Sequence, residues 1–235
     1  MKKNSLNPHL VEELCIPEEQ RADFVACMED VLEVYNRPYD KAYPVLCMDE
    51  KPLQLLAEAR SGHHRKDGVH TQDSEYVRNG TCNIFLFTEP LSGFRYATAI
   101  ERRTKIDWAK QMKFVADTFY PDAENIILVC NNLNTHDKNS FYEAFPTPEA
   151  LRLAKRFEFH HTPKHGSWLN IAKIELAALS KQCLGKRRID NLETLNSEIA
   201  KWQQDRNERQ KSVDWQFTAE NARIKLKQLY PIVNF

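Results

Sequence analysis

The sequence predicts a mixed α/β protein, a sheet flanked by helices. Three observations carry this: two short, nearly continuous apolar runs ending in polar residues, two apolar segments joined by a Pro/Gly turn between them, and a helical pattern directly after that pair. The two runs are PVLCMDE (44–50) and ENIILVCNN (124–132). Consecutive apolar side chains suit strands covered on both faces, so both runs are expected at the centre of the sheet.

The remaining elements follow in chain order. After a polar segment (1–16), Pro17-Glu18-Glu19 opens a helix, and Ala22, Val25, Met28, Leu32 and Tyr35 recur at three- and four-residue steps until Pro38. LLAEARSGHHRKDGVHTQDSEYVRNG (55–80) is rich in His, Gly and charge and is expected as an exposed loop, the kind that often carries function. TCNIFLFTEPLSGFRYATAIE (81–101) reads as two strands turning at Pro90 to Gly93, and 102–120 as a helix. FEFHH (157–161) reads as a short strand. A helix over 166–184 then places Trp168, Ala172, Leu176, Leu179 and Cys183 on one stripe, and two more are expected near 191–207 and 218–229. No repeat or linker divides residues 17–235.

Composition excludes several classes. The 235 residues are 42% hydrophobic and 28% charged with 6 Gly and 11 Pro, which rules out collagen-like, low-complexity and wholly disordered chains. No stretch is long and apolar enough to span a membrane or act as a signal peptide, so the expectation is a soluble, cytoplasmic protein with no membrane partner. The six cysteines are scattered without a C-x-x-C pair and read as reduced core residues. Formal net charge is zero, yet residues 1–50 carry 5 basic and 11 acidic side chains whereas residues 151–188 carry 9 basic and 2 acidic. A polyanion-facing surface and a solvated helical face account equally well for that second balance.

Charge directly after a buried strand needs a reason, and Asp49 is either a metal-holding carboxylate or the cap of a turn. Context comes from NNLNTH (131–136), HGSWLNIAKIEL (165–176), CIPEE (15–19), DEK (49–51), ERRTKIDWA (101–109), YPDAE (120–124), TPKHGSWLN (162–170), WQFTAENARIKL (215–226) and LYP (229–231). Together, and in this order, these segments resemble the DDE catalytic domain of bacterial insertion-sequence transposases in the mariner superfamily, over nearly everything from Cys15 to Pro231. The resemblance implies a ribonuclease-H-like mixed sheet flanked by helices, DNA as partner, and DNA cleavage and strand transfer in transposition. It also implies two Mg²⁺ ions held by three carboxylates.

Carried over by position, the catalytic triad falls on Asp49, Asn131 and Lys173, and since both apolar runs stop at the matched positions, the resemblance implies that Asp49 and Asn131 end adjacent strands. Only Asp49 is an acid and metal ligand, and the formal charges of −1, 0 and +1 sum to zero. Mg²⁺ binding is therefore expected to be weak or absent, which makes the chain a pseudoenzyme or a non-catalytic DNA-binding or partner-binding remnant. Glu50 and Glu175 are expected to face away from the site, and Asp137 is the remaining carboxylate that could reach it. Lys164 and His165 are expected to touch a DNA phosphate or cap the following helix, with Lys186, Arg187 and Arg188 as further phosphate contacts. His160, His161 and His165 lack a fourth ligand for zinc. His136 reads equally as a water-polarising group or a hydrogen-bonded turn histidine. The family's amino-terminal helix-turn-helix region is expected to be absent here, leaving a homodimer or a separate helix-turn-helix subunit as candidate protein partners.

Overall fold

The computed structural model describes residues 21–60, 63–64, 70–71, 74–185 and 187–232. The expected helix opening at Pro17–Glu19, the CIPEE segment and Lys186 lie outside the described residues. In chain order the elements are α1 (Ala22–Tyr35), β1 (Val45–Glu58), β2 (His63–His64), β3 (His70–Thr71), β4 (Tyr76–Glu89), β5 (Phe94–Ile100), α2 (Lys105–Phe119), β6 (Ile126–Asn131), α3 (Asn139–Ala144), α4 (Thr147–Arg156), β7 (Phe157–Thr162), α5 (Ile171–Leu179), α6 (Leu192–Glu208) and α7 (Ala219–Lys225). The main sheet has the order β5-β4-β1-β6-β7. β4 lies antiparallel to both β1 and β5, while β6 runs parallel to β1 and β7.

Side-chain alternation sorts the sheet into two apolar layers. Cys47, Ile84, Leu86, Ala97, Ile127 and Val129 pack on one face with α1, α5 and α6. Leu46, Met48, Phe85, Phe87, Leu128 and Cys130 pack on the other with α2, α3 and α4. Burial on both faces is what makes β1 and β6 read as continuous apolar runs. The same alternation fixes the site: Asp49 and Asn131 continue the parity of Cys47 and Val129, toward α1 and α5, whereas Glu50 continues that of Met48.

Several expectations need correction. Asp49 does not end its strand, because β1 continues to Glu58 and pairs with β4 throughout, apart from a register shift between Gln54 and Leu56. Residues 55–58 and 76–80 accordingly belong to strands and not to the loop. Leu55, Leu56, Ala57, Tyr76 and Val77 are apolar but only Leu55 is buried, and backbone pairing carries the hairpin past the point where polar residues interrupt the pattern. The helix expected over 166–184 is broken into a 3₁₀ turn (Ser167–Leu169), α5, and a π-helical turn (Ser180–Leu184), since Asn170 is extended and caps α5. Helices α3 and α4 are additional to the expected elements.

Candidate active site

The centre is assembled at the point where β6 stops and β1 continues. Asn131 is the last residue of β6, and its Nδ2 donates to Asp49 Oδ1 at 3.3 Å, while its own Oδ1 is buried without a partner. Asp49 Oδ1 also accepts the Glu50 N–H at 2.8 Å. The third position arrives on α5. Asn170 is fully buried; its Oδ1 accepts the Ala172 N–H at 3.1 Å and its Nδ2 donates to the Met48 carbonyl at 3.0 Å. This cap ties the start of α5 to the residue before Asp49, and Lys173 follows within the first helical turn. Lys173 Nζ thereby lies 3.7 Å from Asp49 Oδ2, with the carboxylate side chain 5% exposed and the lysine 44%. Burial pushes the Asp49 carboxyl above its ordinary value, opposed by the Glu50 amide and then by Lys173.

The neighbouring carboxylates are engaged elsewhere. Glu50 is buried on the opposite face, where Oε1 meets His136 Nε2 at 3.0 Å and Oε2 lies 3.8 Å from Arg103. His136 Nδ1 sits 3.2 Å from the Asn131 carbonyl and its ring stacks on Trp108 at 5.6 Å, so it is a buried, hydrogen-bonded turn histidine. Glu175 is sealed under α5 and α6, with Oε2 2.6 Å from Arg95 Nε and Oε1 3.0 Å from both an Arg95 and an Arg206 nitrogen. Asp137 is exposed and accepts the Asn139 N–H at 2.9 Å, at the start of α3.

The basic residues divide similarly. Lys164 and His165 are exposed in the turn between β7 and α5, His165 with a φ of 66°. Neither caps α5, because Asn170 does. Arg187 pairs with Glu198 at 2.7 Å, and Arg188, with 12% of its side chain exposed, pairs with Glu58 at 2.7 Å and donates to the Glu75 carbonyl at 2.8 Å. Arg152 likewise holds Asp117 and Glu149, so much of the positive balance over 151–188 is matched by acids from other segments. His160 lies between Asp30 and Glu158 at 2.7 Å each, tying β7 to α1.

A five-stranded sheet of this order and polarity, with an acid at the point where the central parallel pair diverges, defines the ribonuclease-H-like fold. Comparison with known proteins narrows the class. A family model described as DDE superfamily endonuclease matches residues 44–196, more than half of the chain, and the protein belongs to that family. Among solved structures, it is similar to a pre-cleavage Mos1 transpososome (TM-score 0.56, 13% identity, covering 86% of this chain and 65% of that one). It is also similar to Mos1 mariner paired-end complexes with Mn (TM-score 0.53, 14% identity, 90% and 63% covered) and with Mg (TM-score 0.53, 14% identity, 86% and 60% covered). This chain therefore spans less than two thirds of the length of those chains. No curated protein sequence matches it.

The donor set decides how well the centre suits the divalent cations of those relatives. Mg²⁺ takes hard oxygen ligands, usually including more than one anionic group. Here the three converging side chains are one carboxylate, one neutral amide whose Nδ2 faces the carboxylate, and one ammonium that offers only donors. Among the described residues, no group of three or more His, Cys, Asp or Glu side chains is placed to hold a metal ion. The residues present do not fit a two-metal centre. Sequence reasoning did not assign Asn170 a role, although an Asn three residues ahead of Lys173 at the start of an apolar-periodic segment is a recognisable cap signal.

Proposed function

We propose that this protein is a transposase-type DDE domain that retains a DNA-engaging role and has lost metal-dependent cleavage and strand transfer. The observation carrying the proposal is the Lys173 ammonium 3.7 Å from Asp49, the only carboxylate among the three triad positions. A cation placed there by the chain itself offsets the charge that would otherwise attract Mg²⁺ and leaves no anionic bridge between two ions. The same neutralisation lowers repulsion toward phosphates. Lys164 and His165, exposed beside the start of α5, are the proposed phosphate contacts, with Lys186 and Arg187 as further proposed contacts. Arg188 contributes less, since Glu58 and the Glu75 carbonyl already hold its guanidinium. Partners in this reading are DNA and either a second copy or a separate helix-turn-helix subunit.

The test combines a plasmid-nicking assay in Mg²⁺ and Mn²⁺ with a gel-shift titration of duplex DNA in EDTA. The proposal predicts no nicking with either metal and a salt-sensitive shift that Lys164→Ala weakens. Metal-dependent nicking by the unaltered protein, abolished by Asp49→Asn, would overturn it.

A further inference from the structure

A second site lies where β4 hands over to β5. Glu89 is the last residue of β4, and the register Cys47↔Thr88 places it beside Leu46, three residues before Asp49. At about 3.3 Å per residue this is roughly 10 Å along β1 from the centre described above. Glu89 is 6% exposed, yet among the described residues no Lys or Arg forms an ion pair with it. Its Oε2 accepts the Tyr120 hydroxyl at 3.3 Å, its main-chain carbonyl accepts the Ser92 hydroxyl at 3.4 Å, and its Oε1 is buried with no hydrogen-bond partner. A buried carboxylate with an unsatisfied oxygen is costly unless something completes it.

What the carboxylate borders indicates the missing group. Glu89 forms part of the wall of a cavity of about 310 Å³ together with Tyr39, Phe94, Phe119 and Tyr120, and Lys41 stands at its exposed edge. The aromatic side is rigid: the rings of Phe94 and Phe119 lie 5.0 Å apart, and Tyr120 meets Phe94 edge-on at 6.2 Å. That volume is at the low end of ligand pockets, which run from roughly 300 Å³. Aromatic faces around an uncompensated carboxylate attract an organic cation, the rings through their quadrupoles and the carboxylate through charge and hydrogen bonding.

We propose that this cavity is a binding site for a single alkylammonium or guanidinium group, with Glu89 as its counter-charge and Tyr39 as the outer aromatic wall. The group is supplied either by a free amine or by a Lys or Arg side chain of a bound peptide. The titratable and charged groups facing the carboxylate are Tyr39, Lys41 and Tyr120 on the cavity side and Asp40 on the adjoining loop. Burial raises the Glu89 carboxyl above its ordinary value, so entry of the cation releases whatever proton Glu89 holds. Lys41 is too exposed to serve as a fixed partner, and as a like charge at the rim it opposes the incoming cation.

The experiment is an amide-resolved NMR titration with n-butylammonium chloride and with Nα-acetyl-lysine amide, using n-butanol and butyrate as neutral and anionic controls. The expected result is a saturable shift of the Glu89, Phe94 and Tyr120 amides with at least one of the cations and with neither control. Glu89→Gln keeps the shape and removes the charge, and it should weaken binding at least about tenfold. Tyr39→Ala, at a residue 55% exposed and therefore removable without unfolding, should weaken it as well, whereas Lys41→Ala should preserve or tighten it. Equal response to both cations identifies the bare cationic group as the ligand; response to acetyl-lysine amide alone identifies a peptide side chain. No saturable shift with either cation, or equal binding by Glu89→Gln, would overturn the proposal.

Discussion

Replacing Lys173 by Met removes the ammonium from the centre and keeps the length of the side chain. At the 3.7 Å separation from Asp49, two unit charges interact by about 1 kcal/mol in a water-like dielectric and by about 4–5 kcal/mol at an effective dielectric of 20. The lysine side chain is 44% exposed, which places the value near the lower limit, about 1–2 kcal/mol. The assay is a double-mutant cycle of Lys173→Met with Asp49→Asn, followed by urea unfolding in EDTA at low salt. Its pH dependence has a definite sign. Burial raises the Asp49 carboxyl in the folded state from an ordinary value of 3.8, so the folded protein holds that proton to higher pH than the unfolded chain. Stability attributable to Asp49 is thus largest below about 3.8 and falls as pH rises through the folded value, and Lys173 limits that fall. The coupling energy should therefore be about 1–2 kcal/mol at pH 7 and shrink toward zero near pH 3, where Asp49 is neutral. A coupling below about 0.3 kcal/mol at pH 7, or one unchanged at pH 3, would show that Lys173 does not act on Asp49 as argued.

Three further outcomes follow from the same geometry. Asn131→Asp combined with Lys173→Glu moves the formal charge of the centre from zero to −3 and should confer Mg²⁺ or Mn²⁺ binding that neither single change confers, measured calorimetrically, with plasmid nicking as the functional readout. Glu175→Gln leaves two buried arginines, Arg95 and Arg206, without their carboxylate and should lower unfolding stability by about 3–5 kcal/mol in urea. Gly93→Ala should cost about 1–3 kcal/mol by the same measurement, because Gly93 has a φ of 73° and an added Cβ would lie 2.9 Å from the backbone carbon of Gln210.

The central strands were legible in the sequence because burial on both faces writes itself as unbroken apolar runs, and the hairpin turn was legible because Pro90 and Gly93 punctuate it. Asp49, Asn131 and Lys173 were proposed as a site through family resemblance, and the sheet register and the Asn170 cap explain how these three side chains meet. The outer halves of β1 and β4 were missed because Gln54, Glu58, Arg78 and Asn79 interrupt their apolar residues and the segment joining them is rich in His, Gly and charge, which reads as a loop. The six-residue α3 presents too few turns for a periodic signal. Long-range polar contacts were also out of reach. Nothing local in the sequence pairs Arg95 with Glu175, Arg188 with Glu58, or Glu50 with His136, and these contacts decide which charged side chains are engaged within the protein.

The central claim, that the chain's own ammonium stands in for metal at a DDE centre, is tested most directly by calorimetric titration of the unaltered protein with Mg²⁺ and Mn²⁺ at neutral pH. No saturable heat is expected with either ion at millimolar concentration, and no change in thermal stability on adding them. Saturable binding of either ion that disappears in Asp49→Asn would contradict it.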